Sequence, residues 1–127
     1  MTQSTNTPSV NTPAGLTDLA NAGRFAEGWG DIYRFCHVAN CWFTTDGPDV
    51  DGLETWQPVE GHRLDRIATI VADDLWADIE NDAPRDVVKF ARYTSSLAGI
   101  TAMLRLARSV CQLDKNVIRQ HNGEPAA

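Results

Sequence analysis

Leu97-Ala98-Gly99-Ile100-Thr101-Ala102-Met103-Leu104-Arg105-Leu106-Ala107-Arg108-Ser109-Val110-Cys111 decides the architecture. Leu97, Ile100, Leu104, Ala107 and Cys111 recur at helical spacing on one seam, and Met103, Leu106, Val110 and Leu113 on the neighbouring one. More than half of the circumference is then apolar, and a helix of that kind satisfies itself only between other helices. Two partners precede it. Between Arg63 and Glu80, Leu64, Ile67, Ala68, Val71, Leu75 and Ile79 mark one face while Asp65, Asp73 and Asp74 fall elsewhere, which predicts an amphipathic helix. Asn81-Asp82-Ala83-Pro84 supplies a capping residue and a first-turn proline for a second helix through Val87, Val88, Phe90, Ala91 and Thr94, with Ser95 or Ser96 as the break before Leu97.

Upstream the pattern changes. Thr17 or Asp18 is a candidate N-cap for a short helix carrying Leu19, Ala22, Phe25 and Ala26, with Gly28 and Gly30 ending it. Ile32, Arg34 and Cys36 then alternate with Tyr33, Phe35 and His37. The β-prone run Cys41-Trp42-Phe43-Thr44-Thr45 follows, turn chemistry fills Asp46 to Gly52, and Thr55 to Val59 returns as a third short strand. The expected fold is α+β and mostly helical: an N-terminal helix, a small antiparallel β-meander, then a three-helix bundle. Residues 1–15, rich in Ser, Thr, Asn and Pro, are expected to be a disordered tail. Residues 16–120 are expected to be one domain, with a frayed C-terminus over 121–127.

Composition sets limits. The chain has 127 residues, 43% of them apolar and 22% charged, enough for one self-supporting core. No apolar run approaches the roughly 18 to 20 residues that span a bilayer, and no basic patch leads into an apolar stretch at the N-terminus. Three cysteines, an odd and sparse set, fit reduced thiols, so a cytoplasmic location without membrane association is expected. Charge is divided. Through Asp82 there are four basic and fourteen acidic side chains; after it there are seven basic and three acidic. A uniformly basic nucleic-acid binder is excluded, but a locally basic face is not.

Taken in order, Asn21-Ala22-x-Arg24-Phe25, the Gly30-Asp31 turn, Trp42-Phe43-Thr44-Thr45-Asp46-Gly47, the later Trp56 and Tyr93-x-Ser95-Ser96 before Ile100 and Met103-Leu104 resemble a known module. It is the N-terminal-like domain that precedes the superfamily 3 helicase motor in phage, plasmid and poxvirus primase-helicases. The resemblance spans Leu16 to Leu113. In the family the tryptophan usually follows the Asp-Gly pair by a few residues; here Pro48 to Thr55 lengthens that gap. What the resemblance implies is a role in phage or plasmid DNA replication. A helicase motor needs a phosphate-cradling Gly-x-x-x-x-Gly-Lys-Ser/Thr loop, which this sequence lacks. A primase centre needs carboxylates that hold divalent metal, and no segment upstream of Leu16 supplies them. The expectation is a non-catalytic accessory domain with no cofactor, either part of a larger polypeptide or free-standing. Its expected partners are single-stranded or forked DNA and a helicase or other replication protein. The alternative is an interaction module or small mobile-element regulator docking on a replication protein through an apolar or acidic surface.

Arg85, Lys89 and Arg92 at i, i+4 and i+7 put three cations on one helical stripe, and Arg105 with Arg108 forms an i, i+3 pair. They are candidates for tracking a phosphate backbone. The competing reading lays them over Asp73, Asp74 and Asp78 as ion pairs of small individual worth. Trp56, flanked by turn residues, is a candidate base-stacking platform. Trp42, Phe35 and Tyr33 fit core better, since alternating aromatics on short strands usually pack against helices. Cys36, His37, Cys41 and His62 match no common zinc spacing, and Cys36 and His37, adjacent on a strand, point to opposite faces.

Overall fold

The computed structural model describes residues 7–113. Helix α1, Asp18–Trp29, is followed by strands β1 (Tyr33–Cys36), β2 (Cys41–Thr44) and β3 (Gln57–Pro58), then by helices α2 (Gly61–Ala77), α3 (Arg85–Thr94) and α4 (Leu97–Val110). The fold is α+β and mostly helical, as the periodicities predict. Helix α4 packs against α1, α2, α3 and β1, most extensively on α1, so the broad apolar surface is satisfied from several sides. Leu97 is an exception at 83% exposed.

Local chemistry sets the ends. Thr17 caps α1 by accepting from the Ala20 N–H at 3.0 Å, and Ser96 caps α4 by accepting from the Gly99 N–H at 3.2 Å. Gly28 lies inside α1, and only Gly30 ends it. Pro84 precedes α3 with extended backbone and is not in its first turn. A Cβ on Gly99 would run into the Tyr93 carbonyl and the Thr94 backbone, so the tight α3–α4 reversal requires glycine there.

The three strands form an antiparallel sheet in the order β1-β2-β3. Tyr33 pairs with Thr44, Arg34 with Phe43, Phe35 with Trp42 and Cys36 with Cys41. Alternation then gives the sheet two dissimilar faces. Tyr33, Phe35 and Trp42 join Phe25, Leu64, Ile67, Val71, Met103 and Ala107 in the main core, with Trp42 edge-on to both Phe25 and Phe35 at 5.6 Å. On the reverse face, Cys36 and Phe43 build a second small core with Trp56 and Leu113, against which Cys41 packs. Leu113 arrives because the chain after α4 runs beside β1: the Phe35 N–H donates to the Cys111 carbonyl and the Leu113 N–H to the Phe35 carbonyl. Pro58, which has no N–H, sits opposite Phe43, whose backbone is directed toward β1.

The expected tail is corrected where it is described. Residues 7–16 lie against the helices, with Val10 buried among Leu75, Val87 and Ala91 and a short 3₁₀ turn over Pro13–Gly15. One apolar side chain inserted between α2 and α3, plus a side-chain donor, holds a segment whose composition alone would leave it loose. The donor is Arg24: its guanidinium gives hydrogen bonds to Asn21 Oδ1 at 2.7 Å, to the Gly15 carbonyl at 2.9 Å and to the Pro8 carbonyl at 3.0 Å. The expected fray over 121–127 and the domain's last residues to 120 lie outside the described residues.

Candidate nucleic-acid interface

Helix α3 is two-sided. Val87, Ala91 and Thr94 are buried, and Arg85, Lys89 and Arg92 are exposed. At 100° per residue the three cations fall within about 60° of one another on the side away from the buried residues. They line a shallow open hollow whose floor includes Val88.

Two polar contacts fix the helix at its C-terminal end. Thr94 Oγ1 accepts from Asn21 Nδ2 at 3.0 Å and donates to the Phe90 carbonyl, and both Asn21 and Thr94 are fully buried. The Tyr93 hydroxyl donates to Asp18 Oδ1 at 2.8 Å. That bond holds the phenol's proton and pushes the Tyr93 pKa up, burial adds to the rise, and Arg105 opposes it.

The ion-pair reading of the stripe is not what is found. Among the described residues the one contact at ion-pair distance is His62 Nε2 to Glu60 Oε1 at 3.7 Å, between two exposed side chains and charged only when the histidine carries a proton. Arg85, Lys89 and Arg92 have no carboxylate partner within 4.0 Å there, and Asp73 and Asp74 on α2 and Asp78 at its C-cap stand exposed with no described Lys or Arg within that distance.

The other candidates do not join the stripe. Arg108 lies over the Phe35 ring, 4.9 Å from its centroid, and its carbonyl meets His37 Nε2 at 3.2 Å, so this cation caps the edge of β1. Arg105 is exposed on α4, outside the hollow lined by the α3 cations, and its charge opposes the rise of the Tyr93 pKa. Trp56 is corrected outright: at 3% exposed, it fills the reverse face of the sheet and has no free ring for a base. Turn residues on both sides suggested a surface position, but the loop they form folds Trp56 back over Phe43. Within that loop Asp49 Oδ1 accepts from the Asp51 and Leu53 N–H groups, and Gly52 takes φ +79°, the left-handed turn that lets the chain return. Tyr33, Phe35 and Trp42 are core, in agreement with the residue pattern.

Arg24 stands in the Asn21-Ala22-x-Arg24-Phe25 motif, but the sequence assigns it no structural role. Burial pushes its pKa down, with Asp78 and then Glu27 acting against that, and its described hydrogen bonds all go to neutral acceptors. The only signal is two polar residues, Asn21 and Arg24, one turn apart beside the buried Ala22 and Phe25. Among the described residues no three of His, Cys, Asp and Glu are grouped to hold a metal ion, and no helix is long and apolar enough to cross a membrane. No family model matches the chain, and no curated protein or solved structure is found similar to it.

Proposed function

We propose that this chain is a non-catalytic accessory module of a phage or plasmid type primase-helicase system, working in the cytoplasm and touching single-stranded or forked DNA through the outer face of α3. The observation that carries the contact is the stripe of Arg85, Lys89 and Arg92, exposed and without carboxylate partners among the described residues of an acidic chain. Cations at that spacing can each displace a counterion from a phosphate. The replication setting rests on the order of short motifs from Asn21 to Leu104. The net charge of −6 opposes long-range attraction, so binding belongs to the non-specific class, about micromolar or weaker. A fluorescence-anisotropy titration of labelled single-stranded and forked DNA at low salt tests this. Binding that weakens with salt and is lost in the Arg85→Ala/Lys89→Ala/Arg92→Ala variant supports it; equal binding by that variant, or none by the wild type, refutes it.

A second reading, docking on a helicase or other replication protein, draws on the corner between α3 and α4. Leu97 is 83% exposed there, and Trp76, 39% exposed, reaches the same corner through its Nε1 bond to Ser95 Oγ. Docking by such a surface would depend little on salt.

A further inference from the structure

We infer that Cys36 and Cys41 form a cross-strand dithiol that closes to a reversible disulfide by exchange with a small-molecule disulfide of the glutathione type. The two residues are direct register partners at the end of the β1–β2 ladder, so their side chains leave the same face of the sheet. They belong to the same small cluster with Phe43, Trp56 and Leu113. The third cysteine, Cys111, packs in the main core on the other face.

The kind of pairing follows from the hydrogen bonds around it. Thr45 donates to the Ile32 carbonyl at 3.2 Å, one step beyond the ladder, while Phe35 turns its own N–H and carbonyl away toward Cys111 and Leu113. By alternation, Arg34–Phe43 and Cys36–Cys41 are hydrogen-bonded pairs, with Cα atoms about 5.5 Å apart. That lies inside the roughly 4.4–6.8 Å range a disulfide spans. The Cβ atoms of directly opposed residues stand about 4.5–5.5 Å apart, wider than the roughly 3.5–4.5 Å of a relaxed disulfide. Closing the bridge therefore draws the strands together, and a bridge under that strain is readily reduced.

Access and order of attack are set by the same geometry. Cys41 is partly exposed and Cys36 is 2% exposed. The Cys41 thiolate, having lost its proton to solvent, attacks one sulfur of oxidised glutathione and expels one glutathione thiolate. The Cys36 thiolate then attacks Cys41 Sγ and expels the second. Two protein thiols lose two electrons and two protons, and one glutathione disulfide becomes two glutathione thiols. The Ala39 N–H donates to Cys36 Sγ at 3.4 Å, which holds that sulfur at the turn between the two strands. Asn40, at φ +56°, sits between them in the left-handed region, so the loop is already turned tightly at the residue next to Cys41.

The test uses the full chain, equilibrated in mixtures of reduced and oxidised glutathione, then acid-quenched, alkylated under denaturing conditions and mapped by peptide mass spectrometry. The expected result is a Cys36–Cys41 bridge, seen as loss of two hydrogens from the peptides joining them. Cys111 should stay alkylated, and an excess of reduced glutathione should restore both thiols. Cys111→Ser should give the same bridge, and Cys36→Ser should stop at a glutathione adduct on Cys41; Cys36→Ala serves should the serine variant fail to fold. Three free thiols in the most oxidising mixture, a glutathione adduct as the wild-type end point, a bridge to Cys111, or a bridge that resists excess glutathione would each overturn the proposal.

Discussion

Replacing Arg24 by Met should detach the N-terminal segment while leaving the helical core folded. The side chain makes three hydrogen bonds, to Asn21 Oδ1, the Gly15 carbonyl and the Pro8 carbonyl. At about 1 kcal/mol net per bond the loss is about 3 kcal/mol. Burial of the guanidinium, the largest influence lowering its pKa, already costs part of that gain, and Met recovers it by filling the apolar part of the site. The expected loss of global stability is therefore about 2 kcal/mol, measured as the shift in urea unfolding. Arg24→Lys retains the charge but not the fork that reaches three acceptors, so it should fall well short of wild type. Amide exchange locates the effect. The Thr12, Gly15 and Leu16 N–H groups, bonded to the Ser9, Thr12 and Pro13 carbonyls, should lose protection much more than the amides around Met103 and Ala107. Unchanged protection at Gly15 and Leu16, stability within about 0.5 kcal/mol of wild type, or full rescue by Lys would refute the stapling role.

For single-stranded DNA, three phosphate contacts give a slope of log affinity against log salt near −2, so raising salt fourfold should weaken binding about 20-fold. Anisotropy titrations should show the triple-alanine variant of α3 with a slope near zero. Trp56→Ala should cost about 3–5 kcal/mol in urea unfolding by emptying the small core beneath Phe43 and Leu113, whereas Trp56→Phe should cost much less; a Trp56→Ala protein as stable as wild type would show that this core carries no weight. Burial pushes the Cys111 thiol up to about 11 from 9.0. Because the folded value lies above the unfolded one, this group's contribution is whole below about pH 9 and is lost as pH rises toward 11. The urea midpoint should accordingly fall more steeply over that interval in wild type than in Cys111→Ala.

Long-range periodicity was legible in the sequence, and single insertions were not. The α4 seam from Leu97 to Cys111 announces a helix packed on several sides, and it touches three helices and a strand. The hairpin reads correctly because Tyr33, Phe35 and Trp42 alternate with partners of different character, and tertiary packing then follows the alternation. Val10 and Trp56 resisted the same reading. Val10 is a lone apolar side chain in a stretch of turn formers, and Trp56 belongs to an expected strand, Thr55 to Val59, too short to show a period; each is buried against residues far away in the chain. The Arg85, Lys89 and Arg92 spacing was visible at once; whether α2 would neutralise it was a question of helix orientation, which no local pattern encodes.

The two faces of α3 are linked through the segment that composition alone would have discarded. Val10 packs on Val87 and Ala91, the inner side of the helix whose outer side carries the cations. Asn21 accepts from Arg24 and donates to Thr94, so one chain of hydrogen bonds runs from the Gly15 and Pro8 carbonyls through α1 to the end of α3. Buried polar chains of this kind hold geometry because each member left unsatisfied costs more than its bond contributes. Loosening Arg24 therefore does two things at once: it exposes the Val10 site and leaves Asn21 Oδ1 without its donor, which loosens the Asn21 amide that anchors Thr94; Tyr93 on Asp18 ties α3 to α1 independently. A phosphate contact made by three cations on one rigid stripe requires all three at a fixed spacing, so Arg24→Met, though it removes no residue of the stripe, should weaken DNA binding along with the triple-alanine change. Arg108→Ala, which unseats a cation from Phe35 at the far edge of the sheet, should not.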